Sequence, residues 1–346
     1  MPGIRPNIQA MAGYAPGEQP RDGGFIKLNT NENPYPPSPR VFEALRGALT
    51  GERLRKYPDP LGTAFRQTVA RVLDVDPESI LIGNGSDDLL TILTRAFVPE
   101  GGLIASMTPS YILYRSLAEI QGARYQAAPF TRDWQVPEPW PLPNADLTFL
   151  ANPNSPSGTM VSSASLQRLI DSARGPVVLD EAYVDFADTS SLRLAKGAVI
   201  VTRSLSKSHA LAGIRFGYAI ADPAVIRELV KVKDSYNCDA LSLTAAAAAL
   251  EDRDYLKETR AKILGTRARL SQAIVQRSFD VTPSQANFIW CRRIDRSVKP
   301  IYEELKKRRI LVRYMNYDGY GDGLRISVGT DAEIDRLLEE LDRILV

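Results

Sequence analysis

From about Val41 onward, short apolar runs alternate with stretches in which apolar residues recur at helical spacing. Two of the helical stretches are Asp87 to Phe97 and Ser163 to Ala173. This alternation predicts a mostly parallel sheet with helices on both faces, that is, a large α/β domain with three αβα layers. The predicted strands are 80–82, 103–105, 147–150, 177–179, 199–201 and 216–221.

The pattern changes after about Asp222, where Pro223 to Val232 and Arg253 to Gln276 predict long helices. We therefore expect a large domain over residues 41–245 and a smaller α+β domain over residues 246–346. In the smaller domain, strands are predicted at 288–290, 310–312 and 324–328, and helices at 299–309 and from 331 onward.

Residues 1–40 are rich in Pro, Gly and Asn, which predicts an extended arm with turns. We expect this arm to pack against the small domain or a partner subunit. The arm has no apolar core of the signal-peptide type, and no run of about 18 apolar residues occurs elsewhere. A cytoplasmic protein without membrane spans is therefore expected.

Composition removes several classes of function. The 346 residues include 43 basic and 41 acidic ones, which gives no general field for nucleic acid or anionic membranes. With Cys238, Cys291 and His209 as the whole Cys and His content, a disulfide framework and a His/Cys metal site are excluded, and no metal is expected. A Ser-His-Asp hydrolase would depend on His209, which follows Lys207 by two residues.

A glycine turn follows the first predicted strand, in Gly83-Asn84-Gly85-Ser86-Asp87. Glycines let the backbone approach a ligand closely, and the N–H groups of a first helical turn attract anions. Ser86 or Asp87 acting only as a helix cap would explain the same residues.

Asp180 ends the apolar run that begins at Val177. A carboxylate at the end of a buried strand needs a partner, and a protonated ring nitrogen would be one. Tyr183 lies three residues further on and could offer its hydroxyl to the same ligand. A helix cap or a salt bridge would account for Asp180 equally well.

The strongest feature is a lysine after a Ser-rich turn. Val199 to Val201 leads into Ser204 and Lys207, and Arg215 lies eight residues beyond the lysine. A lysine forms imines with aldehydes when a desolvated or cationic site lowers its pKa. Ser204 and Arg215 can both bind a phosphate. A lone lysine is normally solvated, but Asp180, Ser204, Lys207 and Arg215 fall in order within 36 residues.

Over nearly its whole length the chain resembles fold-type I pyridoxal-phosphate aminotransferases of class I/II. Leu28 to Pro39 and Arg55 to Pro60 resemble the opening of histidinol-phosphate aminotransferases in particular. Asn152 to Gly158 resembles their Asn-Pro-Asn-Asn-Pro-Thr-Gly loop, and Leu324 to Thr330 resembles their C-terminal arginine motif.

The resemblance implies that Lys207 holds pyridoxal 5'-phosphate as a Schiff base and moves a proton during amino transfer. Asp180 would keep the pyridine nitrogen protonated, and Tyr183 would bond the phenolic oxygen of the ring. Tyr111 would stack on the ring, and Tyr57 would reach the phosphate from the other subunit of a homodimer with shared active sites. The phosphate would otherwise be surrounded by Gly85, Ser86, Asp87, Ser204 and Arg215.

One position departs from the family pattern. The third Asn of the family loop, just before Pro-Thr-Gly, bonds the phenolic oxygen in the family and is replaced here by Ser155. Either Asn154 takes over that contact by a small shift or Ser155 makes a weaker one. Asn154 is our expectation.

The implied reaction requires one pocket that accepts both histidinol phosphate and a dicarboxylate, glutamate or 2-oxoglutarate. A guanidinium pairs with either oxyanion. The family motif assigns Arg325 to this task, and Arg313 is a second candidate, although a surface salt bridge would explain it equally well. Further candidates in the arm, for which a turn role fits at least as well, are Tyr14, Asn29, Asn31 and Glu32.

The expected activity is histidinol-phosphate:2-oxoglutarate amino transfer, a step of histidine biosynthesis. An aromatic or broad-range aminotransferase and a threonine-phosphate decarboxylase remain open, because they share much of this motif set. A ligand-sensing half of a transcription regulator is disfavoured, since only about 40 residues precede the fold. A nicotinamide-binding protein is also disfavoured, because Gly83 and Gly85 lack a third glycine at the required spacing.

Overall fold

The structure is a computed structural model that describes residues 3–13, 17–20 and 23–345. Its helices are α1 (Pro6–Ala10), α2 (Pro39–Ala48), α3 (Gly51–Leu54), α4 (Thr63–Leu73), α5 (Ser86–Phe97), α6 (Leu113–Gln121), α7 (Ser163–Ser172), α8 (Pro223–Leu229), α9 (Ala240–Glu251), α10 (Arg253–Gln276), α11 (Lys299–Lys307) and α12 (Asp331–Leu345). Its strands are β1 (Ile26–Lys27), β2 (Ile80–Gly83), β3 (Leu103–Thr108), β4 (Arg124–Pro129), β5 (Leu147–Ala151), β6 (Val177–Asp180), β7 (Val199–Ser204), β8 (Gly217–Ile220), β9 (Asp280–Thr282), β10 (Phe288–Arg292), β11 (Ile310–Leu311), β12 (Arg313–Tyr317) and β13 (Gly321–Ser327).

A seven-stranded sheet in the order β2-β8-β7-β6-β5-β3-β4 forms the centre of the large unit. Strand β8 runs antiparallel to both of its neighbours, and the other pairs are parallel. Val178 and Ile200 pack in a core with α5, α6 and α8, whereas Leu179 and Val201 pack in another core with α7. Helices therefore cover both faces, and the three-layer αβα prediction is confirmed.

The C-terminal unit is built on a four-stranded antiparallel sheet in the order β12-β13-β10-β9. Its core combines apolar residues of this sheet with those of α10, α11 and α12. The N-terminal arm joins this unit, because β1 pairs in parallel with β11 and Leu28 lies in the same core.

Two predictions of local structure are wrong. The arm, expected to be extended with turns, contains the short helix α1, and Asn7 on that helix donates to the Glu119 carbonyl. The helix predicted over Pro223 to Val232 ends at Leu229. There the chain turns, and the Lys233 amine donates to the Asp234 and Ser235 carbonyls.

The expected domain boundary at residues 245 and 246 falls inside α9. Ala245, Ala246 and Leu250 pack in one core with α2 and α4, which belong to the large unit. Asp252 then caps α10 by accepting the Tyr255 N–H. We propose that the division lies between α9 and α10.

Within the described ranges, no helix is both long enough and apolar enough to cross a membrane.

Candidate active site

A cavity of about 310 Å³ opens at the carboxyl ends of β5, β6 and β7. Ligands of open parallel sheets bind at this edge. The arm and β12–β13 close the other side of the cavity. Of the residues singled out in the sequence, it brings together Asn29, Asn31, Glu32, Ser86, Asp87, Tyr111, Ser155, Asp180, Tyr183, Ser204, Lys207, Arg215, Arg313 and Arg325.

One end of the cavity is suited to an anion. Helix α5 begins at Ser86, so its free N–H groups and the positive end of its dipole lie at the cavity. Arg215 lies beside this helix end, with its Nη2 atom 3.5 Å from an oxygen of Asp87 and its Nη1 atom donating to Ser206 at 3.2 Å. Gly85 has φ +82°, and a Cβ there would lie 2.6 Å from the Arg215 guanidinium.

Asp180 ends β6 with its carboxylate buried. Burial raises the pKa of this carboxyl to about 6, against the lowering effect of donors from Tyr114, Ala182 and Thr202. The Tyr114 hydroxyl donates to Oδ2 at 2.9 Å, and the Ala182 N–H donates to Oδ1 at 3.2 Å. These donors are neutral, so a cationic partner would stabilise the ionised carboxylate further.

Tyr114, which supports Asp180 without lining the cavity, was not identified from the sequence. Its ring is fully buried on α6 and stacks on Phe149 of β5 with centroids 4.8 Å apart. Tyr111, three residues earlier on the same turn, packs edge-on against it at 5.6 Å. The only local signal was this helical spacing from Tyr111.

The Lys207 amine lies in the cavity and donates to the Thr30 carbonyl at 3.1 Å. Burial, together with the positive charges of Arg325 and Arg215, lowers the pKa of this amine to about 8, while Glu32 acts in the opposite sense. A larger fraction of the amine is therefore uncharged near neutral pH than for an exposed lysine.

The backbone around Lys207 is fixed by Asn33, which was not singled out in the sequence. Its Nδ2 atom donates to the carbonyls of Lys207 and Ser208 at 3.0 and 2.9 Å.

Asn154, expected at the ring, does not line the cavity. Its buried amide accepts from Ser110 at 2.8 Å and donates to Pro109 O at 3.0 Å and to Ser157 Oγ at 2.8 Å. These contacts hold the Asn154 side chain behind the cavity wall. Ser155 lines the cavity instead and accepts a hydrogen bond from Arg325 at 2.9 Å.

Arg313 and Arg325 are directly opposed in the register of β12 and β13, and both line the cavity. The Nη2 atom of Arg325 donates to the Asn29 carbonyl at 3.0 Å, which fixes the plane of its guanidinium. Like charges opposite each other repel, and an anion between them relieves that repulsion. Two opposed guanidiniums at this position are suited to a second anion.

Tyr14 and Tyr57 are the two remaining expected site residues. Tyr14 is outside the described residues. Tyr57 is 81% exposed and stacks on Tyr236 with ring centroids 4.5 Å apart, away from the cavity of its own chain.

His209 does not form a hydrolase triad. Its Nδ1 atom lies 2.9 Å from Ser208 Oγ and 3.8 Å from an oxygen of Asp185, so serine and carboxylate meet the same ring nitrogen. A triad needs them on opposite nitrogens. Among the described residues, no group of three or more His, Cys, Asp or Glu side chains could hold a metal ion.

The family model "Aminotransferase class I and II" matches residues 24–341. The chain is 50% identical to histidinol-phosphate aminotransferase of Rhodopirellula baltica over 344 residues, which are 98% of this chain and 95% of that protein. It is 44% identical to the enzyme of that name from Geotalea daltonii over 341 residues, 98% of each chain. Histidinol-phosphate aminotransferase from Sinorhizobium meliloti, solved in complex with pyridoxal-5'-phosphate, matches with a TM-score of 0.91 at 27% identity, covering 100% of this chain and 98% of that chain.

Proposed function

The chain belongs to the aminotransferase class I and II family, and from that premise we propose that it transfers the amino group of histidinol phosphate to 2-oxoglutarate. It is a transaminase that uses pyridoxal 5'-phosphate. The proposed amine, histidinol phosphate, is the one that appears in the names of the relatives at 50% and 44% identity. The observation that carries the proposal is the opposed pair Arg313 and Arg325, since two guanidiniums suit a phosphate and also a carboxylate.

The residues of the cavity fit the cofactor. The anion site at α5 and Arg215 would hold its phosphate, and Lys207 would hold it covalently. Asp180, buried and furnished only with neutral donors, would pair with the protonated pyridine nitrogen. When bound, the cofactor supplies an electron sink for the substrate carbon.

The remaining roles are assigned to residues of this chain. Lys207 would move the proton at the reacting carbon, since its pKa of about 8 lets Nζ both accept and release a proton near neutral pH. Tyr183 would donate to the phenolic oxygen, and Tyr111 would stack on the ring face. Ser155, rather than Asn154, would face the ring at the position that departs from the family loop.

We also propose a homodimer in which Tyr57 of each chain completes the site of the other. The exposure of Tyr57 and the apolar groove beside it, between α2, α4 and α9, support that assembly. A cytoplasmic location is compatible with two free and buried cysteines.

The test is a substrate profile with 2-oxoglutarate as acceptor. Histidinol phosphate should give the highest kcat/KM, well above histidinol, which lacks the phosphate, and above phenylalanine. Arg313→Gln should lower kcat/KM for histidinol phosphate by roughly 10-fold or more, because the lost hydrogen bonds join a charged guanidinium to a charged phosphate. The loss should be much smaller for histidinol, which has no phosphate.

Two results would overturn the substrate assignment. Higher activity with phenylalanine would make the protein an aromatic aminotransferase. Release of carbon dioxide from threonine phosphate would make it a decarboxylase of the same fold.

A further inference from the structure

Asn31 makes four hydrogen bonds while only 1% exposed. Its N–H donates to Ser327 Oγ at 2.8 Å, and its Oδ1 accepts from the same hydroxyl at 3.0 Å. Its carbonyl accepts from Asn287 at 3.0 Å, and its Nδ2 donates to the Tyr183 hydroxyl at 3.0 Å. Its φ of +56° is in the left-handed region, which asparagine adopts more readily than most residues.

The direction of each hydrogen bond determines how the Asn31 amide faces Tyr183. Ser327 Oγ accepts from the Asn31 N–H and donates its own hydrogen to Oδ1, so Nδ2 is turned toward Tyr183. An amide nitrogen only donates, so the Tyr183 oxygen is an acceptor in this contact. The single hydrogen of the Tyr183 hydroxyl is then left for a ligand in the cavity.

We propose that Asn31 is a positioning residue that keeps Tyr183 as a hydrogen-bond donor toward the phenolic oxygen of the bound cofactor. The inference rests on the proposed function and revises our expectation that Asn31 binds substrate.

The hydrogen bonds of Asn31 also join three parts of the molecule. Ser327 ends β13 and Asn287 precedes β10, so both belong to the C-terminal unit, whereas Tyr183 follows β6 of the large unit. Asn31, on the arm, lies between them. The hydroxyl at the ring is thus oriented by the docking of the C-terminal unit.

The test uses the pH midpoint of the visible absorbance of the bound cofactor. A hydrogen bond donated to the phenolic oxygen favours its anionic form, so losing that bond raises the midpoint. Tyr183→Phe should raise it by roughly half a unit to one unit, the range expected for one net hydrogen bond.

Asn31→Asp is the sharpest variant, since it keeps the shape and the bond from Ser327 but turns the donor facing Tyr183 into an acceptor. The Tyr183 hydrogen is then drawn to residue 31, and the midpoint should rise about as far as in Tyr183→Phe. Asn31→Gly removes the amide without adding charge and tolerates the positive φ, and it should shift the midpoint in the same direction. Asn316→Asp, at an exposed site on β12, controls for net charge.

The double variant Asn31→Asp/Tyr183→Phe should shift no further than Tyr183→Phe, because both changes remove the same bond. Additive shifts would mean that the new charge acts directly, and they would overturn the proposal. So would an unchanged midpoint in both Asn31 variants, or in Tyr183→Phe. If the wild-type protein bound no cofactor with visible absorbance, the proposed function would fail first, so the two failures are distinguishable.

Discussion

Burial moves the pKa values of two residues at the cavity toward each other. The carboxyl of Asp180 rises to about 6, and the amine of Lys207 falls to about 8. In each case the buried site disfavours the charged form. The cofactor relieves both costs, because its ring cation would pair with Asp180 and its aldehyde would take up the uncharged amine.

The pKa of Lys207 predicts how the apoprotein takes up its cofactor. Only the uncharged amine reacts with an aldehyde, so the rate of covalent attachment should rise with pH and level off above about pH 8. Arg325→Gln removes a cation that lowers this pKa, so its plateau should lie at higher pH. Stopped-flow absorbance of apoprotein mixed with pyridoxal phosphate measures both, with Arg336→Gln on the surface of α12 as control. A plateau near the ordinary lysine value of 10.5 would contradict the prediction.

Asp180→Asn should stabilise the apoprotein at alkaline pH. The Asp180 pKa of about 6 in the folded chain exceeds the ordinary value of 3.8, so its contribution to stability is present below pH 4 and is lost as pH rises through 6. The ionised form then costs at most about 3 kcal/mol, which the neutral amide avoids. Urea unfolding of both apoproteins should give a higher free energy of unfolding for the variant than for the wild type at pH 8. The difference should be smaller at pH 5.

With pyridoxal phosphate bound, the wild-type protein should be more stable than Asp180→Asn at pH 8, because the proposed pairing with the ring cation needs the Asp180 carboxylate. Asp171→Asn on the exposed face of α7 serves as the control and should be neutral. A constant gap between pH 5 and 8 would show that ionisation of Asp180 is not its cause.

At the scale of elements, the turn from β2 into α5 carries the proposed phosphate site. Gly85 has φ +82° and ψ 169°, a region that is essentially restricted to glycine. Gly85→Ala should therefore cost roughly 1–3 kcal/mol of stability. Since the new Cβ would also lie 2.6 Å from the Arg215 guanidinium, cofactor affinity should fall as well.

Gly101→Ala separates these two effects. Gly101 also has a positive φ of 74°, but a Cβ there would meet nothing within 4 Å. This control should lose stability in urea without losing affinity for pyridoxal phosphate. Equal losses of affinity in both variants would mean that backbone strain alone, and not the contact with Arg215, weakens binding.

The sequence predicted those elements whose pattern is strong within one segment. Helix α10 has the predicted bounds, and β6 and β7 were identified because buried parallel strands are continuously apolar. Strand β4, at the sheet edge, alternates exposed and partly buried residues and was missed. Strand β12 was missed too, since it has no apolar run.

The site residues likewise divide into those that the sequence predicted and those that it did not. Lys207 and Asp180 follow predicted strands, and their positions could be inferred from those strands. The bond between Asn31 and Ser327 joins residues 296 positions apart, and Tyr114, on helix α6, meets Asp180, at the end of strand β6. No local pattern encodes such contacts. The orientation of Asn154 away from the cavity likewise depends on Ser110, from a different strand end.

At the scale of the whole molecule, the exposed aromatic pair Tyr57 and Tyr236 lies beside an open groove lined by Ala247, Ala248 and Leu243 of α9. An exposed apolar patch of this kind favours a protein interface. In a symmetric dimer, one patch meets its own copy, and each chain can extend a side chain into the site of the other.

Subunit complementation tests the proposed sharing of sites. Lys207→Ala and Tyr57→Ala homodimers should each be weakly active or inactive, because every site lacks one of the two residues. If Tyr57 acts across the interface, a mixed dimer has one site with both defects and one with neither. Co-refolding equal amounts should then restore about a quarter of wild-type activity per chain, since about half of the dimers are mixed. If Tyr57 acted within its own chain, no intact site could form. The activity of the mixture would then be only the average of the activities of the two variants.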